Sequence, residues 1–246
     1  MLKKRIIISL TFMDGILYRT KNFIPDYRYT KEFINLWNID ELILIDVSTI
    51  KFQKEFLEIV KFFSNNCFVP ISIAGGIKSI SDARYYFDNG ADKIICNLSS
   101  FRNEDILNDI SNIYGNQSVI GSIDFKTNYL GKFEIFEKSG QEMVKKNINE
   151  LINNLNYENF GEVLLNDISR DGGMLGFDIK TINQIVKKIK SPAIVIGGGG
   201  NWSHFFDLFN ETKVSAACTQ NIYHFTEESI KSLKIFLKDK KISIRE

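Results

Sequence analysis

DELILIDVS, at residues 40–48, returns as GEVLLNDIS at residues 161–169. Both runs carry Glu in second place, fill with Leu, Ile and Val, and close on Asp-x-Ser. Further along, VPISIAGGI (69–77) is matched by SPAIVIGGG (191–199), and near the start Leu10-Thr11-Phe12 falls on Ile123-Asp124-Phe125. Matches in the same order imply two related halves, roughly 1–117 and 118–246. With three prolines and no Ser/Gly-rich linker, the halves read as a single domain.

Around these stretches the chain keeps a rhythm. Apolar runs rich in Ile and Val lie at 4–11, 42–46, 70–74, 93–96, 118–124, 162–165, 192–197 and 214–218. Between them come amphipathic stretches such as KEFINLWN (31–38), KEFLEIVKFFSN (54–65), SDARYYFDNG (81–90), EDILNDISNIYG (104–115), IKTINQIVKKIK (179–190) and ESIKSLKIFLKD (228–239). Strands without polar alternation, interleaved with helices, predict a parallel sheet covered on both faces. Eight such pairs predict an α/β fold of the (βα)8 TIM-barrel type with an internal two-fold, half-barrel repeat. TNYLGKFEIFEKSG (127–140) breaks the rhythm and predicts a small hairpin over the mouth after the fifth strand, either a lid or decoration.

Composition narrows the function. Lys+Arg 31 against Asp+Glu 30 leaves a net charge of +1, which excludes a general attraction to nucleic acid or to an anionic membrane. Any anion site is therefore local. The cysteines Cys67, Cys96 and Cys218 form no CxxC pair and read as reduced, buried thiols of a cytoplasmic protein. MLKKRIIISL at the start reads as a strand and not a signal, and no apolar run nears the roughly 20 residues that cross a bilayer. His204 and His224 lack ligand spacing, so neither a metal nor another cofactor is expected.

In such a barrel, chemistry gathers at the C-terminal ends of the strands. Asp46 ends the second strand, Asp124 the fifth, Asp171 follows the sixth in NDISRDGG, and Asp14 lies in the MDG turn after the first. Asp124, between Ile123 and Phe125, has a setting that raises a carboxyl pKa toward general acid or base work, or else it caps a strand. Asp171 is a weaker candidate because Asp-Gly is also a stock turn. Thr11 stands where the repeat puts Asp124. The clusters AGGI (74–77) and GGGGN (197–201) expose backbone N–H groups that can cradle phosphate, and two of them suggest a substrate phosphorylated at each end. For AGGI, a tight turn alone is the alternative. At the strand starts, Arg5, Glu41, Lys93 and Glu162 converge on the bottom face as two cations and two anions, which would at least close the core against water.

Taken together, MLKKRIIISL, DGI, IDELILID, AGGI, GADKIICN, SIDFK, GEVLLNDISRDGGMLGFD, IGGGG and YHF resemble the cyclase (synthase) subunit of imidazole glycerol phosphate synthase, the HisF family, from residue 1 to about 240. Only the loop after the first strand looks shortened. The resemblance implies a lyase/cyclase of histidine biosynthesis that receives ammonia from a partner glutaminase at its base, as a heterodimer. At the top it would convert a phosphoribulosyl formimino aminoimidazole nucleotide to imidazole glycerol phosphate and an aminoimidazole carboxamide nucleotide. By the same resemblance, Gly75, Gly76, Asn97, Gly172, Gly198, Gly199 and Asn221 fall on phosphate-loop positions, with Asn221 in place of a Ser. Arg5, Glu41, Lys93 and Glu162 fall on a charged gate to the ammonia passage, and Asp92 on an acid facing the glutaminase.

The departures gather at the mouth. The family has an aspartate at the end of the first and of the fifth strand; Asp124 matches the second, whereas Thr11 replaces the first. A threonine hydroxyl donates a hydrogen bond but does not exchange protons near neutral pH as a carboxylate does. Ser169 opens the Ser169-Arg170-Asp171-Gly172 loop where the family has Asp, Leu98 replaces a Thr, and Arg19 a Lys. Three readings follow: a cyclase in which Asp14, Asp171 or water held by Thr11 replaces the missing acid; a diverged subunit passing ammonia to another acceptor, as in surface-sugar acetamidino biosynthesis; and a scaffold that only activates the glutaminase.

Overall fold

Eight parallel strands close on themselves in the computed structural model, which describes residues 3–21, 24–29, 39–98, 105–128, 132–138, 140–145, 147–220 and 229–245. The first half runs β1 (Arg5–Met13), β2 (Ile16–Lys21), β3 (Ile24–Tyr29), β4 (Glu41–Asp46), α1 (Lys54–Asn66), β5 (Ile71–Ala74), α2 (Ile80–Phe87), β6 (Lys93–Asn97) and α3 (Asp105–Tyr114). The second runs β7 (Val119–Thr127), β8 (Phe133–Glu137), β9 (Glu142–Val144), α4 (Ile148–Asn153), β10 (Glu162–Asp167), α5 (Ile179–Val186), β11 (Ala193–Ile196), α6 (Trp202–Glu211), β12 (Ala216–Thr219) and α7 (Ser229–Asp239). The barrel order is β1-β4-β5-β6-β7-β10-β11-β12, closed by the parallel pairing of β12 with β1. The expected (βα)8 barrel is the observed one.

Burial explains the lack of alternation in the strands. Along β1, Ile6, Ile8, Leu10 and Phe12 join the outer core beneath the helices, while Ile7 belongs to a separate cluster inside the barrel. In the middle of the barrel both faces are shielded from water, so apolar residues fill both there, as Ile6, Ile7 and Ile8 do. Phe12 meets Phe56 and Phe63 of α1 edge-on, with centroids 5.9 and 6.3 Å apart. Helices start where side chains satisfy their first N–H groups: Ser79 accepts from Asp82 N at α2, Asp178 from Thr181 N at α5, and Asn201 from His204 N at α6.

Two hairpins grow from the rim. The predicted one is present as β7–β8, with Asp124 opposite Phe136, and β9 adds a third antiparallel strand. A second, β2–β3, folds back on β1 with Thr11 opposite Tyr18. The sequence itself shows only a shortened loop there. Helices α4 and α6 were likewise not singled out in the sequence, while KEFINLWN at 31–38 lies outside the described residues.

Candidate functional site at the barrel mouth, with an ion square at the base

Period-two spacing stacks the inward side chains of the barrel in three layers. The lowest holds Arg5, Glu41, Lys93 and Glu162, the first residues of β1, β4, β6 and β10. Arg5 Nη1 donates to Glu41 Oε1 at 2.6 Å and Arg5 Nη2 to Glu162 Oε1; Lys93 Nζ lies 3.2 Å from Glu41 Oε2 and 2.8 Å from Glu162 Oε2. Cations and anions alternate around a square. Burial works against the Arg5 charge, but the hydrogen bond and charge of Glu162, then those of Glu41, outweigh it and raise its pKa. For Glu162, burial is likewise outweighed, chiefly by Arg5 and then by Lys93, and its pKa is lowered. Arg245, near the C-terminus, adds a third cation 3.6 Å from Glu41 Oε1. Asp92 lies exposed on the same face, where one carboxylate oxygen accepts Ile71 N–H at 2.8 Å.

Above the square lies an apolar layer of Ile7, Ile43, Ile95, Ile120, Leu164, Ile194 and Cys218. Above that layer the interior becomes polar. Asp124, 8% exposed, accepts from Ser122 Oγ at 3.0 Å and Asn166 Nδ2 at 3.1 Å on Oδ1, and from Asn97 Nδ2 at 3.0 Å on Oδ2. Burial raises its pKa, opposed by these three bonds. The result is a carboxyl fixed in orientation and shifted toward the range where it can both give and take a proton. Ser122 and Asn166 are not singled out by the sequence: Ser122 carries a signal, two residues before Asp124 on the same strand face, whereas Asn166 comes opposite Asp124 only through the register of the parallel pair β7–β10.

Thr11, 3% exposed, lines a small cleft open to solvent together with Ser9, Ile45, Asp171, Gly172, Ile196, Gly197, Gly198, Gly199, Cys218, Thr219 and Gln220. Thr11 and Asp124 occupy corresponding places: each faces an antiparallel hairpin partner, Tyr18 or Phe136, and a parallel partner, Ile45 or Asn166. Of the two candidate substitute acids, Asp171 shares the cleft with Thr11, whereas Asp14 is an exposed turn residue at φ 50° whose N–H is held by Ser48 Oγ at 2.8 Å.

The glycine clusters divide. Gly172, Gly198 and Gly199 line the cleft. Gly75 and Gly76 sit at the β5 corner instead, where a Cβ on Gly75 would lie 2.7 Å from Asp46 Cβ and one on Gly76 2.7 Å from Lys51 Cγ. Both have positive φ, +153° and +72°, so the turn needs glycine on both counts. Asn97 is at the end of β6, next to buried Leu98. Asn221 and His224 lie outside the described residues. Among the described residues, no group of three or more His, Cys, Asp or Glu could hold a metal, and no helix is long and apolar enough to cross a membrane.

Residues 20–229 match the family model of "Histidine biosynthesis protein". The imidazole glycerol phosphate synthase subunit HisF of Staphylococcus carnosus is 32% identical over 252 residues, covering 100% of this chain and 99% of its own. That of Natranaerobius thermophilus is 30% identical over 252 residues, covering 100% of both. A protein of Parasynechococcus marenigrum described as imidazole glycerol phosphate synthase subunit hisF2 is 36% identical over 240 residues, covering 94% of this chain and 89% of its own. A barrel that joins a buried aspartate at its mouth to identities of this extent belongs to the histidine biosynthesis protein family, as a diverged HisF-like member.

Proposed function

We propose that this chain is the cyclase subunit of a glutamine-dependent amidotransferase of the imidazole glycerol phosphate synthase type. The observation that carries the reading is the alignment of three layers on one axis: an ion square at the base, an apolar layer, and Asp124 at the mouth. A glutaminase docked on the base, beside Asp92, supplies ammonia. Neutral ammonia crosses an apolar layer that an ammonium ion cannot enter without a large desolvation cost. At the mouth, ammonia adds to the ribulosyl carbonyl of a bis-phosphorylated formimino aminoimidazole nucleotide, water leaves, and ring closure releases imidazole glycerol phosphate and the carboxamide nucleotide. Asp124 exchanges the protons on one side of the substrate; Asp171, in the cleft with Thr11, serves the other. The substrate phosphates occupy the corner of Gly75, Gly76 and Asn97 and the opposite turn of Gly172, Gly198 and Gly199.

One observation favours a second reading. Thr11, in the place corresponding to Asp124, carries no acid, which suits a subunit that hands ammonia to a different acceptor. The deciding experiment supplies the formimino nucleotide with an ammonium salt, so that no partner is needed, and compares the unaltered protein with Thr11→Asp. Turnover by the unaltered protein supports the cyclase. Silence from both proteins defeats it in favour of another acceptor, or of a subunit that only activates its glutaminase.

A further inference from the structure

Each half ends its second barrel strand with the same device. Asp46 on β4 accepts at Oδ1 from Ser48 N at 2.9 Å and Ser48 Oγ at 2.5 Å; Asp167 on β10 accepts at Oδ1 from Ser169 N at 3.1 Å and Ser169 Oγ at 2.9 Å. The second carboxylate oxygen of each faces a cation, Lys51 Nζ at 3.8 Å or Arg170 Nε at 3.7 Å. A glycine of the next strand's turn packs on each aspartate, Gly75 on Asp46 and Gly197 on Asp167.

The two cations differ in what else they do. Arg170 Nη1 donates to Gly176 O at 2.9 Å, and Gly176 N donates to Gly198 O at 2.8 Å, so Arg170 braces one loop against the glycine turn. That cation is committed to the protein. Lys51 instead runs along the opposite turn: its Cγ, Cδ and Cε pass 2.7, 3.2 and 3.4 Å from where a Cβ of Gly76 would stand. Its ammonium donates to Asp46 O at 2.6 Å, while Asp46 Oδ2 is buried without a hydrogen-bond partner. Burial lowers the Lys51 pKa, opposed by Asp46 and Asp14, and the neighbouring Lys78 lowers it further. At the N-terminus of α2, Asp82 N donates to Ser79 Oγ at 3.1 Å, and Lys78 N just ahead of the helix donates to Asp82 Oδ2 at 2.9 Å, which places a carboxylate at this end of the helix. Lys51 brings a full positive charge to this corner.

We propose that Lys51 is the phosphate-recognising cation of the mouth, turning from Asp46 O to pair with a phosphate dianion held by the N–H groups of the Gly75–Gly76 turn. This rests on the bis-phosphorylated substrate proposed above and adds an asymmetry to it. One end gains a lysine, whereas at the other the matching cation, Arg170, stays bound to Gly176 O. A ligand with a single phosphate seats at the Lys51 end first.

The test titrates inorganic phosphate into the full chain, followed by ³¹P NMR, for the unaltered protein, Lys51→Met, Lys51→Gln and Lys51→Arg. Lys51→Met keeps an apolar stem along Gly76 and removes only the charge; Lys51→Gln serves if that variant does not fold. Phosphate affinity is expected to fall about tenfold or more without the ammonium, the scale of a charge-assisted hydrogen bond, and to return in Lys51→Arg. Equal affinity in the unaltered protein and the charge-free variant overturns the proposal, as does an unaltered protein that binds no phosphate. Lys51-dependent phosphate binding with no turnover of the formimino nucleotide supports Lys51 while defeating the cyclase reading.

Discussion

Asn97 Nδ2 lies 3.0 Å from Asp124 Oδ2, so an amide at the end of β6 sets the carboxylate of β7 from the neighbouring strand. The same amide reaches Phe136 O at 3.3 Å and ties the carboxylate to the hairpin above it. Asp124→Asn is expected to lower the rate by about 10²–10⁴, the range for losing a general acid or base. The assay with an ammonium salt measures this without any partner protein, and an unchanged circular dichroism spectrum separates lost chemistry from lost fold.

Stability should depend on pH through the same residue. Burial raises the folded-state pKa of Asp124, so the native state holds its proton to higher pH than the unfolded chain does. The contribution is full below the ordinary aspartate value of about 3.9 and is lost as pH rises through the raised native value. Urea titrations across that window are expected to show a decline that Asp124→Asn lacks.

At the base the sign reverses. Glu162 has a lowered folded pKa, so its contribution is present above the ordinary glutamate range of about 4.3 and is lost as pH falls through the native value. Glu162→Gln leaves Arg5 and Lys93 short of one anion in a buried square and is expected to cost about 3–5 kcal/mol, read from chemical denaturation at neutral pH.

Much of this is legible in the sequence alone. Square and mouth both followed from one rule, that a barrel strand displays its first residue at one end and its last at the other, so Glu41 and Asp46 or Glu162 and Asp167 could be sorted by position alone. Partners across strands were harder. Asn166 meets Asp124 only because β10 pairs with β7 in one register, and no local pattern states that register. The β2–β3 hairpin was missed because its strands lack an apolar run bounded by turn residues, the pattern that marks the barrel strands.

Gly197→Ala tests the crowding of the seventh-strand turn. Its φ is +100°, and an added Cβ would stand 2.3 Å from Asp167 O. A loss of about 1–3 kcal/mol is expected from the backbone conformation alone, with the contact adding to it, measurable as a lowered Tm.

All three cysteines are buried and free. Burial pushes the Cys96 thiol up to about 12 and the Cys218 thiol well above its usual value. A bulky aromatic disulfide reagent is expected to label neither in the native protein and both after unfolding.

The hairpins on β1 and β7 bear on how such a mouth can change over time. Each is a continuation of a barrel strand that turns back on itself, so the wall it forms can lengthen or shorten by residue pairs while the staves beneath keep their register. A single-residue insertion would instead turn every following side chain to the other face. Thr11 and Asp124 stand at the foot of these two walls, so new substrates can be fitted by remodelling a ribbon in steps of two, with the ion square and the apolar layer left as inherited.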